Sequence, residues 1–144
     1  GVTHSVVYAL VKKKIKTIFI SNRTVGKAED IKKKFPFIEI ILWDNIHYIT
    51  QDMDIIINTT SLGIKNGTNF NQMIKKFKTE LIYYDVIYNP LETAMLKNFK
   101  EKKIKTFNGL EMFLHQGQKS FFIWNNINPA VDEGLKNTII SNLK

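Results

Sequence analysis

Apolar positions along this chain follow two different patterns. Near the N-terminus they recur every three to four residues, which predicts an amphipathic helix over 3–14. Elsewhere they form short, largely apolar runs at 17–20, 38–42, 54–58 and 81–85. Such runs are typical of strands that are buried on both faces, as in a parallel sheet covered by helices.

Helical segments alternate with these strands. After the first helix, the pattern predicts a strand over 104–107 and four helices, over 25–35, 93–102, 110–124 and 129–143. The last helix is expected to begin at Pro129, because Asn128 can cap it and proline suits a first helical position. This order predicts an α/β protein with a Rossmann-like, doubly wound parallel sheet flanked by helices. We expect 1–144 to be one domain on which the two C-terminal helices pack.

A doubly wound dinucleotide-binding fold begins with a strand that leads into a glycine-rich turn. This chain, by contrast, is predicted to be helical almost from Gly1. The strand in question would lie between those predicted at 17–20 and 54–58. We therefore expect the first strand to be missing from the chain, which would then be part of a longer polypeptide.

The helix predicted over 110–124 carries an apolar stripe that we expect to face the core. Its members are Leu110, Phe113, Leu114, Gly117, Phe121 and Trp124. Met112 and Gln116 project to another side of this helix, one turn apart, where they can line a cleft.

The basic composition raises the question of nucleic-acid binding. Lysine and arginine number 21 against 13 acidic residues, which gives a net charge of +8. The lysine-rich runs at 12–14, 32–34 and 100–105 lie at or just after predicted helix ends, where cations complement the helix dipole. In a doubly wound fold those ends lie opposite the nucleotide site. We therefore expect a solvated surface and no nucleic-acid partner.

Composition also bears on metals and membranes. The chain has no cysteine, which excludes disulfides and thiolate metal sites and favours a reducing, cytoplasmic setting. His4, His47 and His115 show no paired ligand spacing, so we predict no metal. No apolar stretch approaches the roughly 20 residues that span a bilayer, and no membrane partner is expected.

The segment after the first predicted strand carries a chemical signal. In a dinucleotide-binding fold this place meets the adenosine ribose, where an acidic residue favours NAD. Here Arg23 and Lys27 bring positive charge instead. Asn22, Thr24 and the N–H groups of the following helix add hydrogen-bond donors, and together these groups suit a 2′-phosphate and predict NADP. Alternatively, Ser21 or Thr24 only caps the helix and Arg23 is a solvated charge.

Five segments, in this order and spacing, resemble the C-terminal, NADP-binding half of the shikimate dehydrogenase family. They are a glycine-loop end at 1–3, an Asn-Arg-Thr segment at 22–28, an Asn-Thr-Thr-Ser loop at 58–63, an Asp-x-x-Tyr-x-Pro segment at 84–93 and a Gly-x-x-Met helix start at 108–116. The resemblance covers essentially the whole chain.

The resemblance implies a cofactor site made of Gly1, Val2, Asn22, Arg23, Thr24, Lys27, Thr59, Thr60, Ser61, Val86, Gly109 and Met112. It also implies two substrate-binding residues, Tyr88 and Gln116. In this interpretation Val86 and Gly109 present backbone to the nicotinamide carboxamide, and Met112 packs against the nicotinamide.

Several of these residues also have a simpler interpretation. The hydroxyl residues at 59–61 would cap a short segment over 70–77, and Gly109 would be a turn residue with a positive φ. Gln116 would be a solvated surface residue, and Tyr88 a core or rim aromatic.

The reaction that the resemblance implies is the reversible, NADPH-dependent reduction of 3-dehydroshikimate to shikimate, on the route to aromatic amino acids. In the family, a lysine and an aspartate of an N-terminal substrate domain do the acid–base work, so we assign no catalytic residue to this chain. We expect the chain alone to bind NADP weakly and to be inactive. The expected partners are that domain of the same polypeptide and a small-molecule substrate.

Three alternatives remain open. The chain could come from a quinate/shikimate dehydrogenase relative that prefers NAD. It could be a glutamyl-tRNA reductase-like domain, since that enzyme also carries an Asn-Arg-Thr segment. It could also be a noncatalytic NADP-binding module.

Overall fold

The computed structural model describes residues 1–64, 74 and 76–143. Its helices are α1 (Val2–Lys12), α2 (Val25–Lys34), α3 (Ile46–Ile49), α4 (Ala94–Glu101), α5 (Leu110–Asn125) and α6 (Glu133–Asn142). Its strands are β1 (Phe19–Ile20), β2 (Glu39–Ile40), β3 (Ile55–Asn58), β4 (Ile82–Asp85) and β5 (Lys105–Phe107). The described residues form two compact units, the first from 1–53, 74 and 76–78 and the second from 54–64 and 79–143.

In the first unit, α1 and α2 pack with a two-stranded parallel sheet. β1 pairs with β2, so that Phe19 lies opposite Glu39 and Ile20 opposite Ile40. Both helices and the sheet contribute to one buried apolar cluster, whose members are Val7, Ile18, Ile20, Ala28, Ile31 and Ile38. The three-to-four spacing of apolar residues in each helix turns one face toward this cluster.

In the second unit, three parallel strands lie in the order β3–β4–β5. Their register places Asn58 opposite Asp85, where β3 and β4 end. Tyr83 of β4 is fully buried and stacks on Phe99 of α4, with ring centroids 4.5 Å apart. The other buried apolar residues of this unit are Leu81, Ile87, Met95, Leu96, Ile104, Leu110 and Leu114.

These elements confirm the predicted α/β class. Every strand lies inside a segment predicted to be a strand, although each is shorter than predicted, and all described strand pairs are parallel. Within the described part of the chain, β1 pairs only with β2, and β3 only with β4. A further strand between β1 and β3 remains a prediction.

The start of the last helix was predicted wrongly. α6 begins at Glu133 rather than at Pro129. Asp132 is its N-cap, because its carboxylate accepts a hydrogen bond of 2.8 Å from the backbone N–H of Leu135. The carbonyl of Pro129 instead accepts a hydrogen bond of 2.8 Å from the side chain of Gln118, which holds this stretch as a loop against α5. α5 runs one residue beyond its predicted end and stops before Asn126, whose φ is 53°.

The apolar stripe of α5 is only partly buried, which corrects the expectation that all of it faces the core. Leu110 and Leu114 are buried, at 7% and 5% exposed. Phe113, Phe121 and Trp124 are 36%, 44% and 79% exposed. Side chains of α5 are therefore buried only in its first turns, and those of its last turn are exposed.

Candidate functional site

Two loops of the second unit start from a pair of buried polar residues. Asn58 ends β3 and Asp85 ends β4, and they are 4% and 0% exposed. The side-chain amide of Asn58 donates a hydrogen bond of 3.2 Å to Oδ1 of Asp85. The loops after β3 and β4 therefore both begin at residues that this hydrogen bond holds in place, at the carboxyl edge of the sheet. In open α/β sheets, ligands bind at this edge.

The loop after β3 wraps around the side chain of Asn58. Oδ1 of Asn58 accepts hydrogen bonds from the backbone N–H and the hydroxyl of Thr60, at 3.0 and 2.7 Å. Its Nδ2 donates to the carbonyl of Leu62 at 3.0 Å, and the N–H of Leu62 donates to Oγ1 of Thr60 at 3.1 Å. Thr60 thus shapes the turn that carries half-buried Thr59 and exposed Ser61. The alternative cap at 70–77 falls mostly outside the described residues.

Asp85 ties the loop after β4 to the start of α4. Its Oδ1 accepts a hydrogen bond of 3.1 Å from the N–H of Ile87, and its Oδ2 accepts one of 2.9 Å from the hydroxyl of Thr93. Thr93 is also the N-cap of α4, since its hydroxyl accepts from the N–H of Leu96 at 3.3 Å. Burial raises the pKa of Asp85, and these hydrogen bonds oppose that shift.

Val86 and Gly109 are brought into direct backbone contact. A Cβ placed on Gly109 would lie 2.0 Å from the carbonyl oxygen of Val86, and the N–H of Gly109 donates a hydrogen bond of 2.9 Å to the carbonyl of Ile87. The φ of Gly109 is −80°, so the interpretation as a positive-φ turn is wrong. Glycine is needed here because no side chain fits between the two segments.

Tyr88 lies against the first turns of α5. Its ring stacks on that of Phe113, with centroids 4.3 Å apart and an interplanar angle of 17°. Met112, on the same helix, is half-buried, and Gln116 is exposed. Tyr88 is itself half-buried, as a rim aromatic would be.

In the first unit, the predicted phosphate-binding residues lie between β1 and α2. Oδ1 of Asn22 accepts a hydrogen bond of 2.9 Å from the N–H of Thr24, which shapes the turn into the helix. Thr24 holds the N-cap position, but its side chain makes no capping hydrogen bond. Arg23 and Lys27 are exposed, and neither forms an ion pair with any of the described residues. In the same unit, Gly1 and Val2 form the start of α1.

Sequence reasoning assigned no site role to four residues of the second unit that shape the site: Asn58, Asp85, Thr93 and Phe113. Two signals were available, because Asp85 ends an apolar strand run and Thr93 lies at the start of a predicted helix. That both side chains meet was not visible in the sequence. Likewise, Phe113 was assigned to the core, whereas it is the surface on which Tyr88 stacks.

Metal clusters and membrane-spanning helices are absent from the described residues. Within residues 1–64, 74 and 76–143, no group of three or more histidine, aspartate and glutamate side chains is placed to hold a metal ion. None of the helices in those ranges combines the length and apolar character that a bilayer crossing requires.

Comparison with known families matches nearly the whole chain. Residues 2–111 match the family model described as shikimate / quinate 5-dehydrogenase, and residues 109–136 match that of the shikimate 5'-dehydrogenase C-terminal domain. The first match alone covers well over half of the chain.

Individual relatives agree with this result. The shikimate dehydrogenase (NADP(+)) of Pelagibacter ubique is 48% identical over 92% of this chain and 48% of its own length. A crystal structure of shikimate dehydrogenase in complex with NADP+ is 34% identical, with a TM-score of 0.73 over 89% of this chain and 47% of that one. Quinate dehydrogenase from Corynebacterium glutamicum in complex with NAD is 23% identical and shares the fold, with a TM-score of 0.84 over 98% of this chain and 52% of that one.

The chain spans about half the length of the curated relatives it matches. The fold, the order of the five motifs and the family match all point the same way. The chain belongs to the shikimate/quinate dehydrogenase family.

Proposed function

We propose that this chain is the cofactor-binding part of an NADP-dependent shikimate dehydrogenase, which interconverts 3-dehydroshikimate and shikimate in the cytoplasm. The main observation in favour is the backbone contact of Val86 with Gly109 at the carboxyl edge of a parallel sheet, on a chain of this family. The main chain of Gly109 packs so closely on Val86 that a Cβ at position 109 would collide with it. This packing holds the main chain at Val86 in one place, as the presentation of backbone groups to the flat nicotinamide ring requires.

The adenosine end of the cofactor is assigned to the first unit. Arg23 and Lys27 are exposed and form no ion pair with the described residues, so both charges are available to a phosphate. The side-chain amide of Asn22 and the hydroxyl of Thr24 lie beside them, at the N-terminus of α2. Gly1 and Val2 would contact the cofactor phosphates at the N-terminus of α1. The Pelagibacter ubique relative is named for NADP(+), which supports the same choice.

The nicotinamide end is assigned to the second unit. There, the residues that would contact the cofactor are Thr59, Thr60, Ser61, Val86, Gly109 and Met112. NADP, when bound, supplies the hydride acceptor of the reaction and NADPH the donor. What the chain contributes is position: the Asn58 and Asp85 hydrogen bonds fix both loops before any ligand arrives.

The substrate is assigned to two residues near α5. Tyr88 is held by its stack on Phe113, so its hydroxyl projects from a fixed ring. Gln116 is exposed one turn further along the same helix, and its amide can both donate to and accept from a substrate hydroxyl. In this proposal the acid–base residues lie in an N-terminal substrate domain of the same polypeptide.

The later turns of α5 support such a domain as a partner. Phe121, Phe122, Ile123 and Trp124 are 44%, 36%, 67% and 79% exposed, and Ile127 beyond the helix is 60% exposed. Large exposed apolar side chains grouped at one end of a helix are typical of an interaction site. We propose that the other half of the polypeptide covers it, in keeping with relatives about twice the length of this chain.

The test is turnover by the full-length protein, followed by the absorbance of the reduced nicotinamide. With shikimate, we expect NADP+ to be reduced far faster than NAD+ at equal concentration. Quinate as substrate distinguishes the quinate-preferring alternative, and faster turnover of quinate with NAD+ would contradict the proposal. No turnover of either compound would indicate a noncatalytic NADP-binding module.

The chain itself provides the matching negative control. We expect purified residues 1–144 to bind NADP+ more weakly than the full-length protein and to show no turnover. Measurable dehydrogenase activity of this piece would contradict the placement of the acid–base residues in another domain.

A further inference from the structure

Asp85 is a carboxylate buried without an ion pair in the part of the chain that the structure describes. It is 0% exposed, and the ion pairs among the described residues involve other side chains. Burying such a group is unfavourable unless hydrogen bonds compensate for the lost water. Four donors surround it: Asn58, Ile87 and Thr93 at 2.9 to 3.2 Å, and the hydroxyl of Tyr83 at 3.5 Å.

Tyr83 lies within β4, and the other three donors hold two different loops. Asn58 is the residue around which the Thr60–Leu62 turn is built, so the bond to Asp85 anchors the loop after β3. Ile87 and Thr93 lie on either side of Tyr88 in the chain, so their bonds anchor the loop after β4. A single carboxylate therefore connects the loop after β3, proposed to contact the cofactor, with the loop after β4, proposed to contact the cofactor through Val86 and the substrate through Tyr88.

A third contact reinforces the connection. A Cβ added at Gly63, where φ is 104°, would lie 3.2 Å from Cβ of Thr93. The end of the first loop thus packs directly against the residue that Asp85 holds at the start of α4. The two loops therefore contact each other through Asp85 and Thr93, and moving either loop would break contacts with the other.

We propose that Asp85 is a positioning residue that couples the two loops, so that cofactor and substrate are held in one mutual arrangement. This inference rests on the proposed function, because it takes the first loop as a cofactor contact and Tyr88 as a substrate contact. The role requires an acceptor at both oxygens of residue 85. An amide retains only one, because its NH₂ group cannot accept from Thr93 and Tyr83.

The experiment compares Asp85→Asn and Thr93→Val with the wild type in the full-length protein. We expect both variants to raise the KM for NADP+ and the KM for shikimate together, each by about tenfold, the change that one lost charge-assisted hydrogen bond produces. Thr93→Ser keeps the hydroxyl and should restore values near those of the wild type. Glu92→Gln, an exposed carboxylate in the same loop, should leave both KM values unchanged.

Partial unfolding is distinguishable from loss of position. A purely structural role reduces the number of active molecules and so lowers the apparent kcat while leaving KM unchanged. The inference is overturned if Asp85→Asn and Thr93→Val change kcat only, or if they raise one KM without the other. If Asp85→Asn does not fold, Thr93→Val with its serine control decides the question alone.

A double substitution adds a second criterion. If Asp85 and Thr93 act through their shared hydrogen bond, the combined variant should be no worse than the poorer single variant. Independent, multiplying effects would contradict the coupling.

The coupling of the two loops can also be tested without enzymatic turnover, which separates its failure from failure of the proposed function. If the wild type turns over neither shikimate nor quinate, amide hydrogen exchange still tests the coupling. Exchange at Leu62 and Ile87 should then accelerate together in Asp85→Asn, and acceleration at Ile87 alone would overturn it.

Discussion

Two regions of the molecule carry the proposed cofactor contacts, and they are built in opposite ways. In the second unit, the loops after β3 and β4 are tied by Asn58 and Asp85, which are 4% and 0% exposed. In the first unit, the segment after β1 presents Arg23 and Lys27 at exposed positions. One region consists of buried polar groups bonded to each other, and the other of solvated charge.

The two regions should therefore respond differently to substitution. Buried groups that satisfy one another hold a position, because moving one leaves several hydrogen bonds unmade. Exposed cations act through charge, tolerate movement and are screened by salt. Substitutions in the second unit should therefore act through geometry and stability, and those in the first unit through charge alone.

The largest effect is expected from Gly109→Ala. The new Cβ would lie 2.0 Å from the carbonyl oxygen of Val86, so the two backbone segments must separate. We expect the free energy of unfolding in urea to fall by about 3 kcal/mol. Gly117→Ala is the matched control on the same helix, where a Cβ meets nothing within 4 Å. A loss of the same size in both variants would contradict the steric explanation.

Arg23→Ala should test the other region. Losing a charge-assisted contact with the 2′-phosphate should weaken NADPH binding to the full-length protein by about 1.5–3 kcal/mol. NADH binding and the melting temperature should not change, because Arg23 is exposed. The control is Lys34→Ala, at the far end of α2. Titration calorimetry provides the measurement, and an equal loss for both cofactors would show that Arg23 acts on the fold.

The pH dependence of stability should separate the regions further. Burial raises the pKa of Asp85 above its unfolded value of about 3.9. Between the two pKa values the folded chain binds more protons than the unfolded chain, so the free energy of unfolding falls as pH rises through that window. The fall is about 1.4 kcal/mol for each unit of pKa difference. Urea unfolding across pH should show it in the wild type, and an identical profile for Asp85→Asn would exclude this cause.

The smallest effect concerns Tyr88. Phe113→Leu removes the ring on which Tyr88 stacks, and such aromatic pairs contribute about 0.5–1.5 kcal/mol. We expect the KM for shikimate to rise severalfold, while the KM for NADP+ stays near that of the wild type. Phe37→Leu, which changes an exposed aromatic residue of the first unit, should alter neither value. A change in both KM values would place Phe113 in the same coupled network as Asp85.

The sequence predicted the local elements because they depend on local patterns. Largely apolar runs marked four of the five described strands, the fifth was predicted over 104–107, and the predicted α1 and α2 lie within two residues of their bounds. The start of α6 was missed because two caps compete there, and a tertiary hydrogen bond from Gln118 to Pro129 decides between them. The stripe of α5 was misread because periodicity shows which face is apolar and does not show how far a neighbour covers it.

The sequence by itself determined the α/β class, the motif order that places the chain in its family, and the charged segment at Arg23 and Lys27. These follow from residues that are near one another along the chain. Only the tertiary structure decided that Asn58 meets Asp85, through the register of β3 and β4, and that Gly109 must lack a side chain because Val86 lies against it. Both contacts join residues far apart in the chain, and their existence depends on the packing of whole elements rather than on any local pattern.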